Sequence, residues 1–112
     1  RFRELARRCV GLVYPSASEG QSGAVVTCMQ AGLIPMVSRE SGVDVHDFGT
    51  ILPDCRLDTL RDAIVRLSEE APEALKRRAV ASWKYARSHH TTDVYLTEYR
   101  RMIETILDSQ SR

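Results

Sequence analysis

Two short apolar runs without alternation, Val10-Gly11-Leu12-Val13-Tyr14 and Leu33-Ile34-Pro35-Met36-Val37, constrain this chain more than anything else in it. A strand with one face in water alternates apolar and polar residues. A continuous run suits a strand buried on both faces, as in a parallel sheet. Between the runs lie a loop of small and polar residues over 16–23 and a helical stretch over 24–31, ended by Gly32 as its C-cap. Val25, Val26, Cys28 and Met29 give that helix a broad apolar face. Pro35 cannot donate to a sheet ladder and is expected at an end or an irregularity of its strand. A second polar loop over 38–47 carries Gly42, and Phe48-Gly49-Thr50-Ile51-Leu52 is a short third strand closed by Pro53-Asp54. Strand, loop, helix, strand, loop, strand is the order of a doubly wound α/β layer.

Beyond Asp54 the chain turns helical. Leu57, Leu60, Ile64 and Leu67 repeat at helical spacing, with Asp58 in the first turn. Pro72 is placed to open another helix at its first position, where its missing N–H costs nothing. In that helix Leu75, Ala79, Trp83 and Ala86 share a face, and Lys76, Arg77, Arg78 and Lys84 are mostly solvated. The pattern breaks over 88–92. Val94, Tyr95, Tyr99, Met102, Ile103 and Ile106 then mark a last amphipathic helix. At the other end, Phe2, Leu5, Ala6 and Cys9 lie about a turn apart, so a helix is already under way at Arg1, with no cap before it. The expectation is a fragment of a longer chain.

A chain of 112 residues holds one domain at most. Its net charge of +1 argues against a nucleic-acid surface, which usually carries a strong basic excess. No apolar run approaches the length of a membrane helix, and no signal peptide is visible. Cys9, Cys28 and Cys55 are odd in number and lack CxxC spacing, so neither a disulfide framework nor a zinc site is favoured.

In open α/β sheets, ligands bind beyond the carboxyl ends of the parallel strands. Both polar loops follow strands and project onto that edge. Gly20 and Gly23 let a ligand approach the backbone, and a helix starting near Ser22 or Gly23 points free N–H groups and a positive dipole end at the same place, which favours an anion such as phosphate. Glu19 is the one carboxylate of the first loop and can accept hydrogen bonds from ligand hydroxyls. The plainer reading is a capped turn: the loop has neither the Lys of a Walker A motif nor a dinucleotide fingerprint. Other candidates are weaker. His89-His90 suits a helix C-terminus better than a metal, because adjacent helical residues diverge. His46 and Asp47 could touch a ligand from the second loop, though an exposed loop histidine is the plainer reading. Ser18, His46 and Asp44 match a hydrolase set only by composition, without a Gly-x-Ser-x-Gly elbow. Cys28 reads as packing, and Arg77-Arg78 as a solvated face.

The run Pro15-Ser16 through Glu19-Gly20-Gln21-Ser22-Gly23, a helix with Met29 and Gly32, a strand with Pro35 and a Ser-Gly-Val-Asp loop resemble the C-terminal half of GT-B fold glycosyltransferases. More narrowly, they are similar to the retaining group 1 type enzymes that carry two glutamates at a fixed spacing. The closing helices, with Tyr95 and Tyr99 in the last, fit the same pattern. The resemblance covers most of residues 1–112, but only about the last quarter to third of a usual family member, a size consistent with dividing a two-domain protein. It implies a partial Rossmann-like parallel sheet of about three strands with C-terminal helices, a fragment of a nucleotide-sugar-binding domain.

Carried over by residue, the resemblance assigns Glu19 to the donor-sugar hydroxyls. It assigns Gly20, Gln21, Ser22 and Gly23 to the loop whose amides cradle the sugar and diphosphate. The second glutamate, which holds the ribose, falls on Thr27, shorter and uncharged. Gln21 stands for an aromatic and Ala24 for a proline. The basic pair on the diphosphate and the acceptor site would lie outside this chain, so no catalytic residue is assigned within it and the fragment alone is expected to be inactive. The implied reaction transfers a sugar from a nucleotide diphosphate sugar to the hydroxyl of a glycan or lipid-linked acceptor, in bacterial surface polysaccharide synthesis. No metal or other cofactor is expected. The implied location is the cytoplasm, with the full-length protein peripheral to the inner membrane. The alternative is a non-catalytic glycosyltransferase-like binding or assembly module. Edges left by truncation could also let the fragment dimerise.

Overall fold

The computed structural model describes residues 1–18 and 20–110. Its elements are α1 (Phe2–Ala6), β1 (Gly11–Tyr14), α2 (Gly23–Gln30), β2 (Ile34–Ser38), a 3-10 turn (Arg39–Ser41), β3 (Thr50–Leu52), α3 (Leu57–Ser68), α4 (Pro72–His89) and α5 (Thr92–Gln110). The three strands form one parallel sheet in the order β1-β2-β3. The α/β class, the three parallel strands and the closing helices are those expected from the apolar runs.

β2 is central, and all five of its residues are buried. Pro35 sits inside it at no cost to the ladder. The Ile34 N–H donates to the Val10 carbonyl at 3.0 Å, so the backbone groups of the next residue face the β3 side. On that side the pairing begins only at Met36, opposite Thr50. The proline nitrogen therefore occupies a position where no partner carbonyl waits. The Pro35 carbonyl in turn explains Gly49: a Cβ there would lie 2.7 Å from that oxygen.

Alternate side chains of the sheet serve two cores. On one face Leu12, Tyr14 and Val37 pack with Val25 and Met29 of α2 and Ala86 of α4. On the other, the space above Gly11 is filled by Leu67 of α3 and Met36. Helices thus cover both faces. α2 ends in a Schellman motif. Its C-cap is Ala31 rather than Gly32, which follows at φ +84°; Gly32 N–H donates to Met29 C=O and Leu33 N–H to Cys28 C=O.

Three details depart from the sequence pattern. Trp83 lies at the margin of the α4 face, 41% exposed with the Arg87 guanidinium 5.3 Å from its ring centroid, while Ser82 occupies the centre. The Ser82 hydroxyl donates to the Leu33 carbonyl at 2.8 Å, which makes a buried polar residue tolerable there. Leu57 is not on a buried face: it is 80% exposed at the first position of α3. The polar second loop also supplies core residues, Val43 and Val45, and β3 begins only at Thr50, so Phe48, expected in that strand, precedes it; all three are buried with Met29 and Val37.

α5 stands apart. Among the described residues it has no sustained packing partner and no buried residue. The radius of gyration is 16.5 Å, against about 13 Å for a compact domain of this length. No described helix is long and apolar enough to cross a membrane.

Candidate functional site

The carboxyl ends of β1, β2 and β3 lie on one edge, and the segments leaving them are joined to one another. Leaving β2, the Ser38 hydroxyl donates to the Ser16 carbonyl at 2.5 Å. At the end of the following 3-10 turn, the Ser41 carbonyl accepts from the Ser22 N–H at 2.8 Å. Gly42, at φ +70°, packs so closely that a Cβ would run into the Gly20 carbonyl. Only glycine fits this place, on grounds of both conformation and space. The two loops thus form a single surface.

α2 begins on that surface. Ser22 is its N-cap, and its hydroxyl accepts from the Val25 N–H at 3.4 Å. Ser22 is buried, and both its N–H and its hydroxyl are engaged within the fold. Among the candidates from the sequence, it is therefore a scaffold for the loop. Gly20, Gln21 and Gly23 are exposed, and a Cβ at either glycine would meet nothing within 4 Å. Among the described residues no acceptor meets the N–H groups of Gly23 or Ala24, which open the helix. Thr27 is exposed one turn further on, and its hydroxyl donates to the Gly23 carbonyl at 2.8 Å. Toward a ligand it therefore offers an acceptor. Glu19, the carboxylate singled out from the sequence, lies outside the described residues.

Two depressions open on this edge. One, of about 420 Å³, is walled by Ser16, Ser38, Arg39, Glu40, Asp54 and Cys55, so all three strand ends contribute. The other, of about 480 Å³, is bounded by Arg39, Gly42, Asp44, His46 and Ile51. Asp54 is fixed against the start of α3: one carboxylate oxygen accepts from the Thr59 hydroxyl at 2.6 Å and the Arg56 N–H at 2.9 Å. These bonds, the threonine's first, hold its pKa below the ordinary carboxylate value. A larger depression, of about 540 Å³, lies between β3, α3 and the start of α4, where Arg78 and Glu70 pair at 2.8 Å. That pair leaves Glu70 Oε2 buried without a hydrogen-bond partner, and no residue of the first loop lines this depression. The carboxyl edge is the better candidate because it combines open glycines, a helix start and unpaired polar groups.

The remaining candidates form no catalytic set, although the three histidines gather around Tyr85. Ser18, His46 and Asp44 form no hydrogen bond to one another. His46, at φ +41°, lies edge-on to Tyr85 at 4.8 Å, and His89 stacks on the same ring at 4.2 Å. His90 is the C-cap of α4, its ring edge-on to Tyr85 at 5.7 Å. No group of described histidine, cysteine and acidic residues is arranged to hold a metal. Arg39 and Asp54 were not singled out from the sequence, although Arg39 directly follows β2 and Asp54 lies two residues beyond β3, the signal that marked the first loop. No protein-family model matches the chain, and no curated protein or solved structure matches it either.

Proposed function

We propose that this chain is the donor-binding, C-terminal portion of a retaining GT-B fold glycosyltransferase. The whole protein would transfer a sugar from a nucleotide diphosphate sugar to the hydroxyl of a glycan or lipid-linked acceptor, at the cytoplasmic side of a membrane. The observation that carries the reading is the first loop: Gly20, Gln21 and Gly23 are open on the carboxyl edge at the start of α2, in the order the family resemblance requires. Open amides and a helix N-terminus favour phosphate and the polar rim of a sugar. In this reading Glu19 accepts hydrogen bonds from donor-sugar hydroxyls, the 20–23 segment meets sugar and diphosphate, and Thr27 accepts one bond from a ribose hydroxyl. The reacting groups on the acceptor side come from outside this chain.

A second reading is a non-catalytic module. The Thr27 hydroxyl favours it, since a group already bonded to Gly23 holds a ribose less firmly than a glutamate would. The test uses the full-length protein with a panel of nucleotide diphosphate sugars. Glu19→Ala is expected to lower donor affinity and turnover about 10- to 100-fold, the scale of hydrogen bonds to a charged group. Unchanged affinity and turnover remove Glu19 from the site. A wild-type protein that binds donors without turnover selects the non-catalytic module.

A further inference from the structure

Arg39 has a position that no reading so far uses. It is the first residue beyond the central strand β2, and it belongs to the walls of both depressions on the carboxyl edge. In those two walls it is the one arginine or lysine, set among Glu40, Asp44 and Asp54. Its backbone is held on both sides, by the Ser38 hydroxyl on Ser16 and by the Ser41 carbonyl on Ser22. It is thereby fixed beside the loop that opens α2. The side chain is exposed, and no described carboxylate is within ion-pairing distance of it, in contrast to Arg78 on Glu70.

A diphosphate seated on this edge needs positive charge. The acidic walls supply the opposite, and backbone amides supply only partial charge. A guanidinium matches two phosphate oxygens at once with parallel N–H bonds. We infer that Arg39 is the cation of this chain that binds the phosphates of the donor, from the wall shared by the two depressions. This rests on the donor-site reading above, and adds to it a residue that the resemblance did not assign. An arginine in this role makes binding depend on phosphate number and not on the base, and it is replaced poorly by lysine, which cannot form the paired bonds.

The test compares UDP, GDP and ADP with their nucleosides and with inorganic pyrophosphate, by calorimetry on the full-length protein and its Arg39→Ala and Arg39→Lys variants. Arg39→Ala is expected to weaken the bound diphosphate about 10- to 100-fold, to leave the matching nucleoside unchanged, and to keep the wild-type melting temperature. Arg39→Lys is expected to recover only part of the loss. Wild-type diphosphate affinity in Arg39→Ala overturns the inference and leaves the donor site standing. Equal losses for nucleoside and diphosphate also overturn it. A wild-type protein that binds none of the diphosphates overturns the donor-site reading itself.

Discussion

α2 and α5 were both visible as helices in the sequence, yet they meet opposite fates. α2 is short, and Val25 and Met29 are completely buried between the sheet and α4. α5 is more than twice as long and buries nothing: Tyr95, Tyr99, Met102 and Ile106 remain about half exposed. α2 is the more apolar, with five hydrophobic residues of eight against eight of nineteen in α5, but the connections differ as well. α2 starts at a strand end and returns to a neighbouring strand, so the crossover forces it onto the sheet. α5 follows α4, and among the described residues no strand comes after it to draw it back onto the sheet. Packing, and not helix periodicity, separates the two.

The largest effect should come from the buried helix. Met29→Ala removes a side chain with no solvent exposure that touches both the sheet and α4. It is expected to cost about 2–5 kcal/mol of stability in urea unfolding. A loss below about 1 kcal/mol would show that the sheet can close around the vacancy, and that α2 is less firmly docked than its burial suggests.

The boundary between the two regions is His90. Ala86 is the last buried residue among those described, and the Gln30 side-chain amide donates to the His90 carbonyl at 2.8 Å, tying the end of α2 to the end of α4. The His90 Nε2 is buried without a hydrogen-bond partner. Burial, and then the neighbouring His89, hold the His90 pKa below its ordinary value of 6.5, against the opposite pull of Asp44. The unfolded chain therefore takes up this proton first as pH falls. Above 6.5 neither state holds it and stability is complete; below 6.5 stability declines toward the folded pKa. Unfolding between pH 7.5 and 5 should show that decline, and His90→Asn should reduce its slope. An unaltered slope in the variant would place the acid sensitivity elsewhere.

Much of the packed half was legible because its constraints are local. Continuous apolar runs marked β1 and β2, Pro72 marked the first turn of α4, and Gly32 marked the end of α2 to within a residue. What escaped depends on distant partners. Ser82 is an unremarkable polar residue until the Leu33 carbonyl, 49 positions away, is seen to need its hydroxyl. Val43 and Val45 alternate with Gly42, Asp44 and His46, a period-2 pattern hidden by the polarity of the loop around it. At the site, the placement of the first loop followed from the strand before it. That Ser22 is spent on capping and on Ser41 could not be read so directly, since a serine before a helix serves either a cap or a ligand until its neighbours are known.

The smallest effect should come from α5. Tyr99→Ala removes a half-exposed aromatic whose ring stacks beside Tyr95, with ring centroids 6.0 Å apart. Alanine favours the helix more than tyrosine does, so propensity offsets part of the lost contact. The expected change in unfolding free energy is within about 0.5 kcal/mol, the range of an ordinary surface substitution. If instead the loss approaches that of Met29→Ala, the stripe of α5 is covered in solution. A melting temperature that rises with protein concentration in the wild type but not in the variant would then identify the cover as a second copy, since only an intermolecular contact responds to mass action. A loss without concentration dependence would mean that α5 folds back on its own chain. The contrast between the two helices would then be one of timing, with α5 docked late and weakly, and no longer one of partner and no partner.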